Sequence, residues 1–175
     1  GKAIQMSYKS FRRTEPTTFE AHPYCLKIFR QRWYMLAHTI GKEELRIYSL
    51  DRIADIEVLD TPLLLPENFD ATDFFSDYFG IIIGHNIKPS ILELKASAEQ
   101  ARYLESLPLH SSQEVVETTP EYTIFRFRIV PTFDLKQEIL SRGATLEVLS
   151  PGWFREEVFS EIKQMIKNYG ETKVR

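Results

Sequence analysis

The feature that most constrains the fold is a run of short strand patterns between residues 3 and 60 that no helical pattern interrupts. Ile4, Met6 and Tyr8 alternate with polar residues, which is the period-two pattern of a half-buried strand. Further strand patterns follow at residues 19–29, 32–39, 45–49 and 56–59. A sheet this small leaves unprotected edges unless it curls on itself. The sequence therefore predicts a small closed β-barrel or a curled sheet.

Local signals separate these strands. Pro23 marks an edge position or a bulge in the second strand, because proline has no N–H to give to a neighbouring strand. Arg30 and Gln31 form a tight connection into the third strand, and residues 41–43 turn the chain into the fourth.

The second half of the chain has a different pattern. After a proline-bounded connector at residues 61–66, Asp70 suits the N-cap of a helix and Gly80 suits its end. The apolar face of this helix would consist of Phe74, Phe75, Tyr78 and Phe79.

From Ser90 onward strands and helices alternate. The patterns predict strand, helix, strand, strand, helix and strand at residues 91–95, 97–105, 113–118, 122–129, 133–141 and 144–149. This order is that of the ferredoxin-like split βαβ arrangement. The predicted fold class is therefore α+β, with a small barrel followed by a ferredoxin-like α/β sandwich and an extra C-terminal helix.

The extra helix begins at Pro151 and carries an apolar stripe. The stripe consists of Phe154, Val158, Ile162, Met165 and Tyr169. It must cover this domain, the barrel or another subunit. Because two helices already cover one face of a four-stranded sheet, we expect the surplus surface to form a homodimer interface. The alternative is that the helix packs back on its own chain.

Composition indicates an ordinary soluble protein, with 43% hydrophobic and 27% charged residues. No apolar run approaches the roughly 18 residues of a membrane helix, so no membrane partner is expected. The single cysteine, Cys25, excludes an internal disulfide, and a reducing cytoplasmic setting is the default expectation. The start at Gly1, already close to a strand, suggests a fragment of a longer protein.

Charge is unevenly distributed. Residues 1–60 contain ten Lys and Arg against eight Asp and Glu, a net +2, and residues 61–175 contain twelve against seventeen, a net −5. The first 34 residues alone hold seven basic residues and two acids. Such a basic surface is either a solvated sheet face or a contact surface for a polyanion.

The residue patterns do not favour an enzyme. The four histidines, His22, His38, His85 and His110, lack the spacing of a helical zinc site, so neither a metal nor a cofactor is expected. Asp51 beside Arg52 suits a backbone cap in a tight turn better than a catalytic dyad. No nucleophile and base occur together in a recognisable motif, and we assign no catalytic residue.

Two adjacent strand patterns carry a family resemblance. The first contains Arg32-Trp33-Tyr34-Met35, and the second contains Arg46-Ile47-Tyr48 followed by Leu50-Asp51-Arg52-Ile53. With Tyr8 and His22-Pro23 before them, these motifs resemble the WYL domain family, named for Trp-Tyr-Leu. Met35 replaces the leucine and conserves its volume. Residues 69–169 resemble the C-terminal extension of many WYL domains, with Leu146 to Pro151, Arg155 and a closing helix.

The resemblance implies three segments. These are an effector-binding Sm-like barrel at residues 1–62, a connector with a short helix at 63–88, and a ferredoxin-like extension domain at 89–175. Most WYL domains lie behind a DNA-binding winged helix in bacterial transcription regulators, which implies promoter DNA as a partner through a domain before residue 1. The implied effector is single-stranded nucleic acid or a nucleotide-like molecule.

Effector-binding positions carried over from the family are Tyr8, His22, Arg46, Tyr48 and Arg52. Because side chains two apart on a strand share a face, Arg46 and Tyr48 are expected to point the same way. We expect Arg46 and Arg52 to converge on one accessible patch with Tyr48 and His22. Arg12 and Arg13 are possible contacts to a nucleic-acid backbone, or part of a solvated loop.

Side-chain parity also predicts core positions. Trp33, Met35 and Leu45 are expected in the core.

The resemblance favours one function, the sensing and dimerising part of a transcription regulator. The alternative is a single-strand-binding accessory module of a nuclease or helicase system.

Overall fold

The computed structural model describes residues 1–84 and 87–171, and the chain divides into two units, Gly1–Phe75 and Ser76 onward. The strands in these residues are β1 (Lys2–Tyr8), β2 (Thr17–Phe29), β3 (Arg32–Thr39), β4 (Leu45–Ser49), β5 (Ile53–Pro62), β6 (Ser90–Ser97), β7 (Glu114–Thr118), β8 (Tyr122–Ile129) and β9 (Leu146–Ser150). The helices are α1 (Ala71–Phe75), α2 (Ala98–Ser106), α3 (Phe133–Ser141) and α4 (Gly152–Glu171). His85, Asn86 and residues 172–175 lie outside the described residues, and the expected boundaries at residues 62 and 89 stay predictions.

The first unit is an antiparallel sheet of five strands in the order β4-β3-β2-β1-β5. Tyr8 on β1 and Tyr48 on β4 lie 5.0 Å apart between ring centroids, although two strands separate them in the sheet. In a flat sheet, three strand spacings would put them roughly 14 Å apart. The sheet is therefore curled, as its five-strand pattern predicted. Among the described residues no pairing joins β4 to β5.

Strand β2 has the irregularities that its sequence predicted. The register with β3 shifts between Pro23 and Cys25, which is the expected bulge. Arg30 and Gln31 connect β2 to β3 with φ angles of 46° and 64°. Two successive positive φ angles are those of the hairpin turn that matches the right-handed twist of the strands.

The core of the first unit lies on one face of the curled sheet. It contains Ile4, Met6, Tyr8, Ala21, Met35, Ala37 and Tyr48. The prediction for Met35 is confirmed, and Leu45 is half-buried. The prediction for Trp33 is wrong, because its side chain is 50% exposed. Trp33 pairs with Ile28 near the tip of the hairpin, beyond the edge of the core.

The helix predicted from Asp70 to Gly80 is much shorter in the structure. Asp70 does cap it, since its Oδ1 accepts hydrogen bonds from the N–H groups of Thr72 and Asp73. The helix ends at Phe75, however, because the Asp77 carbonyl accepts the N–H of Val130 and the next residue, Tyr78, forms a bridge to that same valine. The predicted helical face that combined Phe74 and Phe75 with Tyr78 and Phe79 is therefore wrong.

The second unit has the predicted order of elements. Its sheet is antiparallel, in the order β7-β8-β6-β9. Ser97 caps α2 by accepting the N–H of Gln100 at 3.2 Å. Helices α2, α3 and α4 all contribute to a single core with the sheet, which includes Leu94, Phe125, Phe127, Leu104, Ile139 and Phe154.

Helix α4 is only partly covered. Phe154 and Val158 pack into the core of the second unit, whereas Ile162, Met165 and Tyr169 are 38%, 43% and 83% exposed. Two residues of the predicted stripe therefore cover their own domain, and the other three face solvent. None of the helices in the described residues is long and apolar enough to cross a membrane.

Strand β6 offers a test of the second core. Leu94 is fully buried, and Ile91 on the same strand is 51% exposed. We expect Leu94→Ala to lower the free energy of unfolding by about 2–5 kcal/mol, because it leaves a cavity. Ile91→Ala is the matched control and should cost less than about 1 kcal/mol. Urea unfolding of both variants measures the difference, and equal losses would contradict the assigned core.

Candidate nucleic-acid interface

The candidate site is built on the core face of the first unit. Tyr48 pairs with Met35, and Arg46 pairs with Ala37. Since side chains alternate along a strand, Arg46 and Tyr48 share the face that carries Met35 and Ala37. Tyr48 is buried and Arg46 is exposed beside it. The expected common direction of Arg46 and Tyr48 is therefore confirmed.

Two tyrosines form the base of this face. Tyr8 meets Tyr48 edge-on, and Phe19 packs 5.4 Å from Tyr48 between ring centroids. The Tyr48 hydroxyl shares a short hydrogen bond with the Thr39 hydroxyl, and the Tyr8 hydroxyl accepts the N–H of Ser49 at 3.3 Å. These partners keep the buried hydroxyls satisfied.

Burial raises the pKa of both tyrosines, because a phenolate loses its hydration there. The Arg46 guanidinium opposes this rise in the pKa of Tyr48, and Arg52 does the same for Tyr8. Both phenols therefore remain neutral at physiological pH, and the Tyr8 ring supports the guanidinium of Arg52.

Arg52 occupies the centre of the site. Its guanidinium carbon lies 5.2 Å from the ring centroid of Tyr8 and 4.5 Å from that of Phe11. Its carbonyl accepts the N–H of Lys9 at 2.9 Å, which fixes the loop after β1 against the turn at Leu50–Arg52. Within residues 1–84 and 87–171 its side chain forms no hydrogen bond or ion pair. The charge is thus held in place by two rings and remains open to an anion.

A cavity of about 360 Å³ opens beside Arg52. Its charged and aromatic lining consists of Lys9, Phe11, Arg13, Asp51 and Arg52. This volume lies near the lower end of the range of small-ligand sites, about 300–1,000 Å³. The cavity is therefore large enough for a small anionic or aromatic group.

Asp51 is the acidic residue that lines this cavity. Its Oδ1 accepts a short hydrogen bond from the Ser49 hydroxyl, and Arg32 lies 3.3 Å from its Oδ2. The Ser49 hydrogen bond, with the positive charges of Arg32 and Arg52, lowers the pKa of the Asp51 carboxyl. Asp51 is therefore ionised at neutral pH, and its carboxylate accepts from the Ser49 hydroxyl and from its own backbone N–H.

The remaining predicted positions differ in their placement. His22 pairs with His38, whereas the preceding Ala21 pairs with Thr39, whose hydroxyl meets Tyr48. By the alternation of side chains, His22 lies on the opposite face of the sheet. It is buried and its Nδ1 accepts the N–H of Leu64 at 3.2 Å. The structure therefore does not bring His22 to the face that carries Arg46 and Tyr48, and the convergence of Arg46 with Arg52 stays a prediction.

Arg12 and Arg13 are both exposed in the loop after β1. Arg13 donates to the Thr17 hydroxyl at 2.7 Å and lines the cavity. Phe11 and Lys9, which both precede these arginines, were not expected from the sequence. The available signal was an aromatic residue flanked by basic residues in a loop, a composition typical of nucleic-acid contacts.

Metal ligands do not cluster here. Among the residues that the structure describes, no group of three or more His, Cys, Asp or Glu side chains could hold a metal ion.

The fold is similar to that of solved structures. A CRISPR Cas-related protein aligns with 97% of this chain at 14% identity and a TM-score of 0.53, over 48% of its own length. Proteasome accessory factor B/C (PafBC) of Arthrobacter aurescens aligns with 97% of this chain at 17% identity and a TM-score of 0.40, over 25% of its own length. This chain thus spans about half and about a quarter of those two proteins. A search of curated protein sequences finds no match.

Family models match both units separately. The model of the WYL domain matches residues 1–58, and the model of the WCX domain matches residues 90–166. The first match contains the Trp33-Tyr34-Met35 motif with Tyr8, Tyr48 and Arg52, and the second contains β6 to β9 and most of α4. The chain therefore contains a WYL domain followed by a WCX domain, in the order that the sequence resemblance predicted.

Proposed function

We propose that this chain is the effector-sensing and oligomerising region of a bacterial WYL-type transcription regulator. The effector is a nucleic acid or a nucleotide-like molecule, bound on the basic and aromatic face of the first unit. The observation that carries this proposal is Arg52, whose guanidinium is held between Tyr8 and Phe11 beside a cavity with two further cations. Arginine in this setting binds phosphate and stacks on bases.

We propose a more specific fold for each of the two antiparallel sheets. In the first unit, the contact of Tyr8 with Tyr48 across two intervening strands supports an Sm-like barrel. In the second unit, the strand order β7-β8-β6-β9 with the helices on one face supports a ferredoxin-like fold.

The role in regulation is one of binding rather than catalysis. An effector changes an equilibrium between two arrangements only by the difference in its affinity for them. We propose that this difference is passed to a DNA-binding domain on promoter DNA in the cytoplasm. Such coupling requires the effector site and the DNA site to affect each other reciprocally.

A second candidate is a single-strand-binding accessory module without a transcriptional role. The likeness of fold to a CRISPR Cas-related protein favours it. The two candidates differ in one measurable respect. In a regulator, an oligonucleotide bound to this chain changes the affinity of the full-length protein for promoter DNA, whereas in an accessory module it does not.

The binding proposal predicts a salt-dependent interaction with single-stranded oligonucleotides. Each phosphate neutralised contributes about −0.7 to the slope of log affinity against log salt. We expect the variant with both Arg46→Ala and Arg52→Ala to bind more weakly, with a slope flatter by up to about 1.4. Fluorescence anisotropy of a labelled oligonucleotide over a salt series measures both quantities.

Arg102→Ala is the matched control, since Arg102 is an exposed arginine on α2 whose side chain forms no hydrogen bond or ion pair with the described residues. Its affinity and slope should equal those of the wild type. An equal loss in Arg102→Ala would contradict a site on the first unit. Tight binding whose affinity does not change with salt concentration would indicate a neutral ligand instead.

We also propose that α4 forms a homodimer with a second copy of this chain. The exposed apolar residues of its second half are Ile162, Met165, Ile166 and Tyr169. Acids lie before them at Glu156, Glu157 and Glu161, of which Glu157 and Glu161 also pair with Lys136 of the same unit, and bases lie among them at Lys163 and Lys167. Antiparallel packing of two α4 helices about a two-fold axis places acids against bases and covers the apolar residues.

The dimer proposal is tested by Ile166→Glu. Ile166 is 66% exposed, so the change should not unfold the monomer, yet it places a charge in the proposed interface. We expect wild type to sediment as a dimer at micromolar concentration and Ile166→Glu as a monomer. Leu107→Glu, at a 77% exposed position outside α4, is the control and should remain dimeric. A monomeric wild type would contradict the proposal.

A further inference from the structure

We propose that the cavity beside Phe11 is a subsite for one guanine nucleotide. Its base stacks on Phe11, its phosphate pairs with Lys9 and Arg13, and Asp51 accepts hydrogen bonds from the base. This inference rests on the proposed function and deepens it by naming the base that the effector site selects.

The ring of Phe11 is the stacking surface. It is 86% exposed, which is unusual for so large an apolar side chain. The guanidinium of Arg52 lies over the ring at 4.5 Å from its centroid. Such high exposure leaves the other side of the ring open to solvent. A base placed there would complete a stack of arginine, phenylalanine and nucleobase, the arrangement by which single-stranded nucleic acids are bound.

The cations around the ring suit the phosphate. Lys9 and Arg13 line the same cavity as Phe11. Arg13 is held by its hydrogen bond to Thr17, and the Lys9 backbone is held by its hydrogen bond to the carbonyl of Arg52. The Arg13 charge and the backbone that carries Lys9 are therefore held in place, which reduces the entropy lost when an anion binds.

Asp51 supplies the selectivity. A carboxylate has about four lone-pair sites, and the Ser49 hydroxyl and Arg32 use one on each oxygen. The remaining sites accept only from N–H or O–H groups. Guanine presents two adjacent donors, its ring N–H and its amino group, whereas thymine and uracil present a single N–H between two carbonyl oxygens that repel a carboxylate.

The same chemistry is available from a free guanine nucleotide and from a guanine within a strand. Two arms of the experiment distinguish these sources. In one arm, the chain is titrated with GMP and with UMP by calorimetry. In the other, labelled oligothymidine strands with and without one central guanine are titrated by anisotropy. A free-nucleotide site binds GMP directly, whereas a strand site shows its preference only in the second arm.

We expect wild type to prefer the guanine ligand by about tenfold in at least one arm. Phe11→Ala should lose about tenfold or more in affinity, and Phe11→Trp should retain it, because stacking needs a ring rather than phenylalanine itself. Asp51→Asn should abolish the preference for guanine and still bind the thymidine strand. Phe133→Ala is the matched control, since Phe133 is 56% exposed in the second unit with Lys136 over its ring.

The outcomes separate this inference from the proposed function. If Phe11→Ala binds as wild type does while Arg46→Ala still weakens binding, the subsite is wrong and the proposed function stands. An undiminished guanine preference in Asp51→Asn, or no preference in wild type, overturns the assigned base. If wild type binds neither strands nor mononucleotides, both the subsite and the proposed function fail.

Discussion

The edge-on contact between Tyr8 and Tyr48 determines how the rest of the candidate site is arranged. Tyr8 ends β1 and Tyr48 lies near the end of β4, so their contact joins these two strands across the core face of the curled sheet. The Ser49 amide and the Thr39 hydroxyl satisfy the two phenols, and an unsatisfied buried hydroxyl would cost about 1–3 kcal/mol. The turn that follows Ser49 is thereby held at the end of β1, where Arg52 reaches the ring of Phe11.

Local sequence signals predicted most of the fold because each acts over a few residues. The bulge at Pro23, the turn at Arg30 and Gln31 and the cap at Ser97 all follow from backbone chemistry at one position. The helix from Asp70 failed for the opposite reason. Its sequence suits a longer helix, but the pairing of Asp77 and Tyr78 with Val130, more than fifty residues away, ends it early.

The alternation of side chains along a strand predicted only part of the candidate site. Parity placed Arg46 with Tyr48 correctly, since both lie on one uninterrupted strand. It gave no information on His22, whose face depends on the pairing of β2 with β3. It placed Trp33 in the core wrongly, because Trp33 lies beyond the edge of the core and is exposed. Phe11 was missed because a loop residue has no periodicity, and only the folded chain shows its ring beneath Arg52.

The two proposed roles, effector binding and dimerisation, depend on different exposed residues in the two units. The net charge of −3 is a poor guide, because exposed charges more than about 8 Å apart are largely screened at physiological ionic strength. What an anion meets at the cavity is the local group of Lys9, Arg13 and Arg52, with Asp51 already engaged by Ser49 and Arg32. The net charges of the two units are nearly equal, −1 for residues 1–75 and −2 for residues 76–175, so they do not by themselves separate the two roles. In the second unit the exposed apolar half of α4 suits another protein surface, so effector and partner chain need not compete for one site.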